Sequence, residues 1–182
     1  MDITAVLQTL RHANQLKHTA RTGWVQRGIP NAENVAAHSY GVTFTALVLA
    51  QLLAEPVDLG KLLAMATLHD LAEALTTDIP APAWRYLPPG IKPDVERTAL
   101  QEIVAGTSFA AVFLSLWEEN HARESLEARL VHDADRLDMY LQALVYEEQF
   151  GNTHLAEFWQ TPHSFHFPQA QAIYDALRLR RE

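Results

Sequence analysis

The chain has 182 residues, 48% hydrophobic and 20% charged, with nine histidines and no cysteine. That composition suits one soluble globular domain with a substantial core and excludes disulfides, thiolate nucleophiles and thiolate metal sites. A formal charge of −8 argues against broad electrostatic binding to nucleic acid or to an anionic membrane.

Helical periodicity dominates, and no run of alternating strand residues competes with it. Ile3, Val6, Leu7, Leu10 and Leu16 predict an N-terminal amphipathic helix. The segment LKHTARTGWVQRG follows, with Lys17, His18, Arg21 and Arg27. Taken alone it reads as a solvated surface, yet it is the local positive charge that a small anionic substrate would need. A second helix is expected from Glu33 to Ala54 and a third from Asp58 to Leu75. Five of the nine prolines lie between Pro80 and Pro93, which predicts a loop, because proline removes a backbone donor and restricts the residue before it. Further helices are expected over Asp94–Ala105, Phe109–Ala122 and Ser125–Phe150, followed by a short one at HLAEFW. The last helix has Pro168 near its start and arginines at its end.

The fold class is therefore all-α, a single domain over residues 1–182, with a core at about 21–150 and a C-terminal helical region at 151–182. The longest apolar run, Gly41 to Ala54, is short for a membrane span and contains two threonines and a glutamine. The first residues lack the basic and apolar regions of a signal peptide. The expected setting is cytoplasmic, with neither membrane nor nucleic acid as partner.

The third helix carries the chemistry. Residues three and four apart share a helix face, so Leu62, Ala66, His69 and Glu73 form one stripe, with Leu59, Leu63 and Asp70 beside it. Burying a histidine and two carboxylates there is costly unless the charges are paired or a metal neutralises them. The stripe is thus either a site or a buried ion-pair network. His38 on the second helix shares a face with Val35, Val42 and Thr45 and is a candidate partner. On the long helix, Asp133 lies with Arg129 and Arg136, the pattern of an exposed salt ladder. Asp135 falls with Val131, Ala128 and Met139 in the apolar half, and Asp138 at its edge. Asp135 is the better candidate ligand, with Asp138 placed to steady it. His38, His69, Asp70 and Asp135 make a set of two imidazoles and two carboxylates. That set suits Mn²⁺, Co²⁺, Fe²⁺ or Zn²⁺, and such a metal makes water a usable nucleophile near neutral pH. Glu73 and Asp78 could then position water or move protons.

The ordered elements RTGWVQRG, ENVAAHS, HDLAEALTTDIPAP, LWEE, EARLVHDADRLDMYLQALVYE and LAEFW resemble the HD-domain metal-dependent phosphohydrolases, and within them the YfbR-like 5'-deoxynucleotidase family. The resemblance implies an HD-domain helical bundle, a homodimer, one divalent metal ion on His38, His69, Asp70 and Asp135, and Glu73 with Asp78 as the catalytic acidic pair. It also implies hydrolysis of deoxynucleoside 5'-monophosphates, with Trp24 beside the sugar and Arg21 at the phosphate; Lys17, in the same basic segment, is a further candidate to neutralise phosphate. The chain departs from the pattern at Ala37, where an acidic residue is common, and at Gly23, where arginine precedes the tryptophan in the bacterial enzyme. Ala74 stands where alarmone hydrolases of the superfamily carry an acidic residue, which disfavours that substrate. Alternative readings are an HD phosphohydrolase of another phosphate ester and a non-catalytic metal-binding helical module. Most of the remaining histidines, His12, His18, His121, His132, His154, His163 and His166, are expected at the surface or in packing; His18, near Arg21, is a candidate phosphate neighbour, and His163 and His166 could mimic a metal pair but sit in a TPHSFHFP loop outside the helical set.

Overall fold

Asp2 starts the first helix, its carboxylate accepting hydrogen bonds from the backbone N–H groups of Thr4 and Ala5. In the computed structural model, which describes residues 2–84 and 86–181, the described residues form helices joined by short turns. The helices are α1 (Ile3–Gln15), α2 (Thr22–Val25), α3 (Val35–Leu52), α4 (Leu59–Leu68), α5 (Glu73–Thr76), α6 (Ala81–Trp84), α7 (Ile91–Ile103), α8 (Ala110–Ala122), α9 (Leu126–Phe150) and α10 (Pro168–Arg181). A 3₁₀ helix, Thr153–Trp159, precedes α10. The fold is all-α.

The chain forms two compact units, Met1–Ser39 with Leu68–Glu118 and Tyr40–Thr67 with Glu119–Glu182. In the first, Leu16, Val35, Leu68, Leu71, Leu100, Ile103, Val104 and Trp117 form a buried cluster, with Phe113 and Leu114 packed against it. Helices α1, α5 and α7 pack together there. The apolar stripe of α1 does not behave as its periodicity predicts: Ile3, Leu7 and Leu10 are 54%, 56% and 60% exposed. Thr9 is buried instead and donates its hydroxyl to the Ile103 carbonyl at 2.7 Å. Period identifies a stripe, but only tertiary packing decides whether anything covers it.

The second unit is built on α9, against which α10 and the 3₁₀ helix pack. Ser125 caps its start through the Ala128 N–H, and Gly151 ends it in the left-handed conformation at φ 61°. The rings of Trp159 and Tyr174 stack within the unit, and Tyr140 packs tilted against both. Asp133 corrects the sequence expectation. It is fully buried rather than part of an exposed ladder, and it accepts the backbone N–H groups of His166 and Phe167 at 3.1 and 3.0 Å. The segment before α10 folds onto that turn of α9, a long-range event that helical spacing does not encode.

Two further boundaries differ from expectation. The helix expected over Asp58–Leu75 ends at Leu68 and resumes at Glu73. The proline-rich segment contains the short α6, and α7 begins at Ile91 rather than Asp94. Pro82 and Pro93 sit in first turns, where a missing N–H costs no intrahelical bond. Helix α3, with a mean hydropathy of 1.3 over 18 residues, is long and apolar enough by length and composition to cross a membrane. A core helix meets the same test, and α3 buries Val35, His38, Val42, Ala46 and Leu49.

Candidate metal centre

The break between α4 and α5 is where His69 and Asp70 lie. Over this turn the backbone pairs three residues back, Leu71 N–H to Leu68 O, Glu73 N–H to Asp70 O and Ala74 N–H to Leu71 O, at 3.0 to 3.1 Å. These 3₁₀-type bonds tighten the chain while leaving both side chains beside α3. His38, in the first turns of α3, is completely buried. Its Nε2 stands 3.4 Å from the His69 Nε2 and 3.6 Å from the Asp70 Oδ2, and the His69 Nε2 is 3.2 Å from the same oxygen.

Three donor atoms on a triangle of this size fit a divalent cation. Two imidazole nitrogens facing each other at 3.4 Å repel when both present lone pairs, and a shared cation removes that repulsion. Burial acts to raise the Asp70 carboxyl. The charges of His69 and His38, the hydrogen bond to His69 and the Arg21 guanidinium outweigh it and hold the group well below the ordinary carboxylate range. Asp70 is therefore ionised at neutral pH, as a ligand must be.

Arg21 comes from the residue that precedes α2, its Nη1 3.6 Å from the Asp70 Oδ2. Asp78 is pinned next to it. Its Oδ2 accepts the Thr22 N–H at 2.7 Å, and its carbonyl accepts the Thr22 hydroxyl at 2.6 Å. The turn before Asp78 is strained: Thr77 adopts φ 60° and ψ 167°, a region that a β-branched residue rarely occupies.

Glu73 is 7% exposed, and its Oε2 is buried without a hydrogen-bond partner. Burial first, then the charges of Asp70 and Asp78, push its carboxyl up to about 9 against the pull of Arg21 and Lys92. A carboxyl that keeps its proton at neutral pH beside an ionised one is the usual division of acid and base roles.

The HD domain family model matches residues 13–172. This chain belongs to the HD domain family. The HD domain protein is 34% identical over 180 residues to the 5'-deoxynucleotidase HDDC2 of Danio rerio, an alignment covering 97% of this chain and 88% of that one. It is 31% identical over 181 residues to the human 5'-deoxynucleotidase HDDC2, covering 97% and 86%. The PH0347 protein of Pyrococcus horikoshii OT3 superposes with a TM-score of 0.83 at 34% identity, covering 97% of this chain and 99% of that one.

Other residues singled out from the sequence of this HD domain protein lie as follows. Trp24 is 2% exposed, and its indole N–H donates to the Glu33 Oε1 at 2.9 Å. Lys17 is exposed in the turn after α1. Asp135 lies half-buried on α9, one residue beyond the buried Ala134.

Lys92 is the residue that sequence reasoning missed. It is the second residue of α7, lies 3.0 Å from Glu96 and 5.5 Å from the centre of the Trp84 ring, and its charge acts on both Asp70 and Glu73. Burial favours losing its proton, but Glu96, Asp70 and Glu73 outweigh that and raise its pKa. One signal was available. A lysine in the first turn of a helix opposes the helix dipole, and a broken local rule often marks a functional position.

Proposed function

We propose that this HD domain protein hydrolyses deoxynucleoside 5'-monophosphates to a deoxynucleoside and phosphate, using one divalent metal ion. The observation that carries the reading is the convergence of His38, His69 and Asp70 with the buried Glu73 three residues on, within reach of the charges of Arg21 and Lys92. The names of the similar 5'-deoxynucleotidases support the substrate class. His38, His69 and Asp70 would hold the metal, with Asp135 as the fourth ligand. When bound, the metal supplies a Lewis acid for the phosphate and makes water nucleophilic at neutral pH.

The chain's own residues do the rest. Arg21 and Lys92 offset the phosphate charge, with the exposed Lys17 adding positive charge. Glu73 donates its proton to the departing 5'-oxygen as the P–O bond breaks and the oxygen of water bonds to phosphorus. It recovers that proton from the attacking water. Asp78, held by Thr22, orients the water, and Trp24 packs by the sugar, where a ribose 2'-hydroxyl would crowd it.

Phosphate release from a panel of deoxy- and ribonucleoside monophosphates, with Mn²⁺, Co²⁺, Fe²⁺ and Zn²⁺ each supplied, tests the reading. Turnover of the deoxynucleotides, abolished by Asp70→Ala with helical content retained, is the expected result. Inertness towards every deoxynucleotide, or equal turnover of unrelated phosphomonoesters, would refute the substrate assignment.

We also infer a homodimer. Tyr40, Phe44 and Val48 form an exposed stripe on α3, 72%, 55% and 41% accessible, with the two aromatic rings stacked at 6.3 Å. A stripe of this kind is usually covered in a soluble assembly. Light scattering on the wild type and Phe44→Glu checks it.

A further inference from the structure

Outside the candidate metal centre, the second unit gathers three more histidines and a carboxylate. His132 and Asp133 are adjacent on α9, and His163 and His166 lie in the segment leading to α10. The candidate ligand atoms of His132, Asp133 and His166 all lie within 4.8 Å of one another. Both the His132 Nδ1, at 3.8 Å, and the His166 Nδ1, at 2.7 Å, face one oxygen of Asp133. The His132 ring is 5.1 Å from that of His166 at 83°, and 6.2 Å from that of His163 at 38°.

Two features set the cluster apart from ordinary histidine packing. The His132 Nδ1 and the His163 Nε2 are both buried with no hydrogen-bond partner, an arrangement that costs stability unless something satisfies those atoms. Asp133 is meanwhile oriented by the backbone N–H groups of His166 and Phe167, the outer support that a ligating carboxylate usually has.

We propose that His132, Asp133 and His166 form a second metal site for a zinc-class divalent cation that staples the segment before α10 to α9, with His163 beside it. Two imidazoles and one carboxylate without thiolate suit Zn²⁺, with water completing the tetrahedron. Binding through the His166 Nδ1 moves its proton to the exposed side of the ring and replaces the hydrogen bond to Asp133 with a shared cation. Arg136 places a positive charge near His163 and works against the dication, so affinity rests on completing the ligand set. The role is structural, independent of the hydrolytic reading.

The test is Zn²⁺ stoichiometry on the full chain, stripped with a chelator and titrated with the metal alone. A His69→Ala/Asp70→Ala background disables the first centre, so a failure here leaves the hydrolase reading untouched. That background is expected to bind one Zn²⁺ per chain, to gain thermal stability with it, and to give the intense visible spectrum of tetrahedral Co²⁺. Adding His132→Ala with His166→Ala removes all three. Asp133→Asn keeps an acceptor for the Phe167 N–H, so it guards against a mere folding defect, and it is expected to weaken Zn²⁺ at least tenfold. No Zn²⁺ bound in the background variant, or an equivalent retained after the histidine substitutions, overturns the proposal.

Discussion

Replacing Glu73 by glutamine separates the electrostatics of the site from its chemistry. The carboxyl titrates near its ordinary value of 4.5 when unfolded and at about 9 when folded. Between those values the native state holds a proton that the unfolded state has released, so stability falls as pH rises. The contribution is fully present below pH 4.5 and gone above pH 9, and within the window the slope reaches about 1.4 kcal/mol per pH unit. Glutamine cannot ionise. The stability of Glu73→Gln relative to wild type should therefore climb by ~2–3 kcal/mol from pH 6 to pH 8, while any constant cost of the buried amide shifts both ends equally. Urea unfolding of chelator-treated protein at pH 6, 7 and 8 reads this directly. Divalent metal favours the ionised carboxyl and should shrink the difference. Parallel curves for the two proteins would show that Glu73 ionises normally and would remove it as the proton donor. In the metal-loaded enzyme the same substitution should lower kcat by about 10²–10⁴-fold.

Lys92→Met removes a cation whose charge acts on Asp70 and Glu73, and with it an i,i+4 pair with Glu96 and a cation–ring contact with Trp84; steady-state kinetics should show kcat/KM for a deoxynucleotide down by about 10–100-fold with the melting temperature little changed, and a change below twofold sinks the phosphate role. Gly41→Ala would ordinarily stabilise a helix interior by about 1 kcal/mol, yet a Cβ at Gly41 has no room beside the Asp138 carboxylate. Chemical denaturation should show a loss of ~1–3 kcal/mol instead, partly rescued by adding Asp138→Ala, and a stabilised Gly41→Ala protein would refute the close contact. Thr77→Gly relieves a φ of 60° at ψ 167°, so it should raise stability by about 1 kcal/mol while lowering activity, because Asp78 loses its fixed approach; lower stability would mean the strain is not there.

Much of this protein was legible without coordinates. The helical class, the long helix over Ser125–Phe150 and the turn of charge at His69, Asp70 and Glu73 all follow from rules reaching only a few residues along the chain. Such rules register which side chains share a face and which residues start or end a helix. They are blind to what packs against that face. Tertiary structure alone decided that α4 breaks into a 3₁₀ turn at His69, that Ile3, Leu7 and Leu10 stay exposed, and that Asp133 is sealed under the segment at His166 rather than paired with Arg129 and Arg136. It also brought Lys92, about twenty residues downstream, to bear on Asp70 and Glu73. The raised proton affinity of Glu73 belongs to the same class of fact. A glutamate in the sequence is an ordinary acid, and only burial with two neighbouring carboxylates raises its hold on the proton, because desolvation and charge act through space and not along the chain.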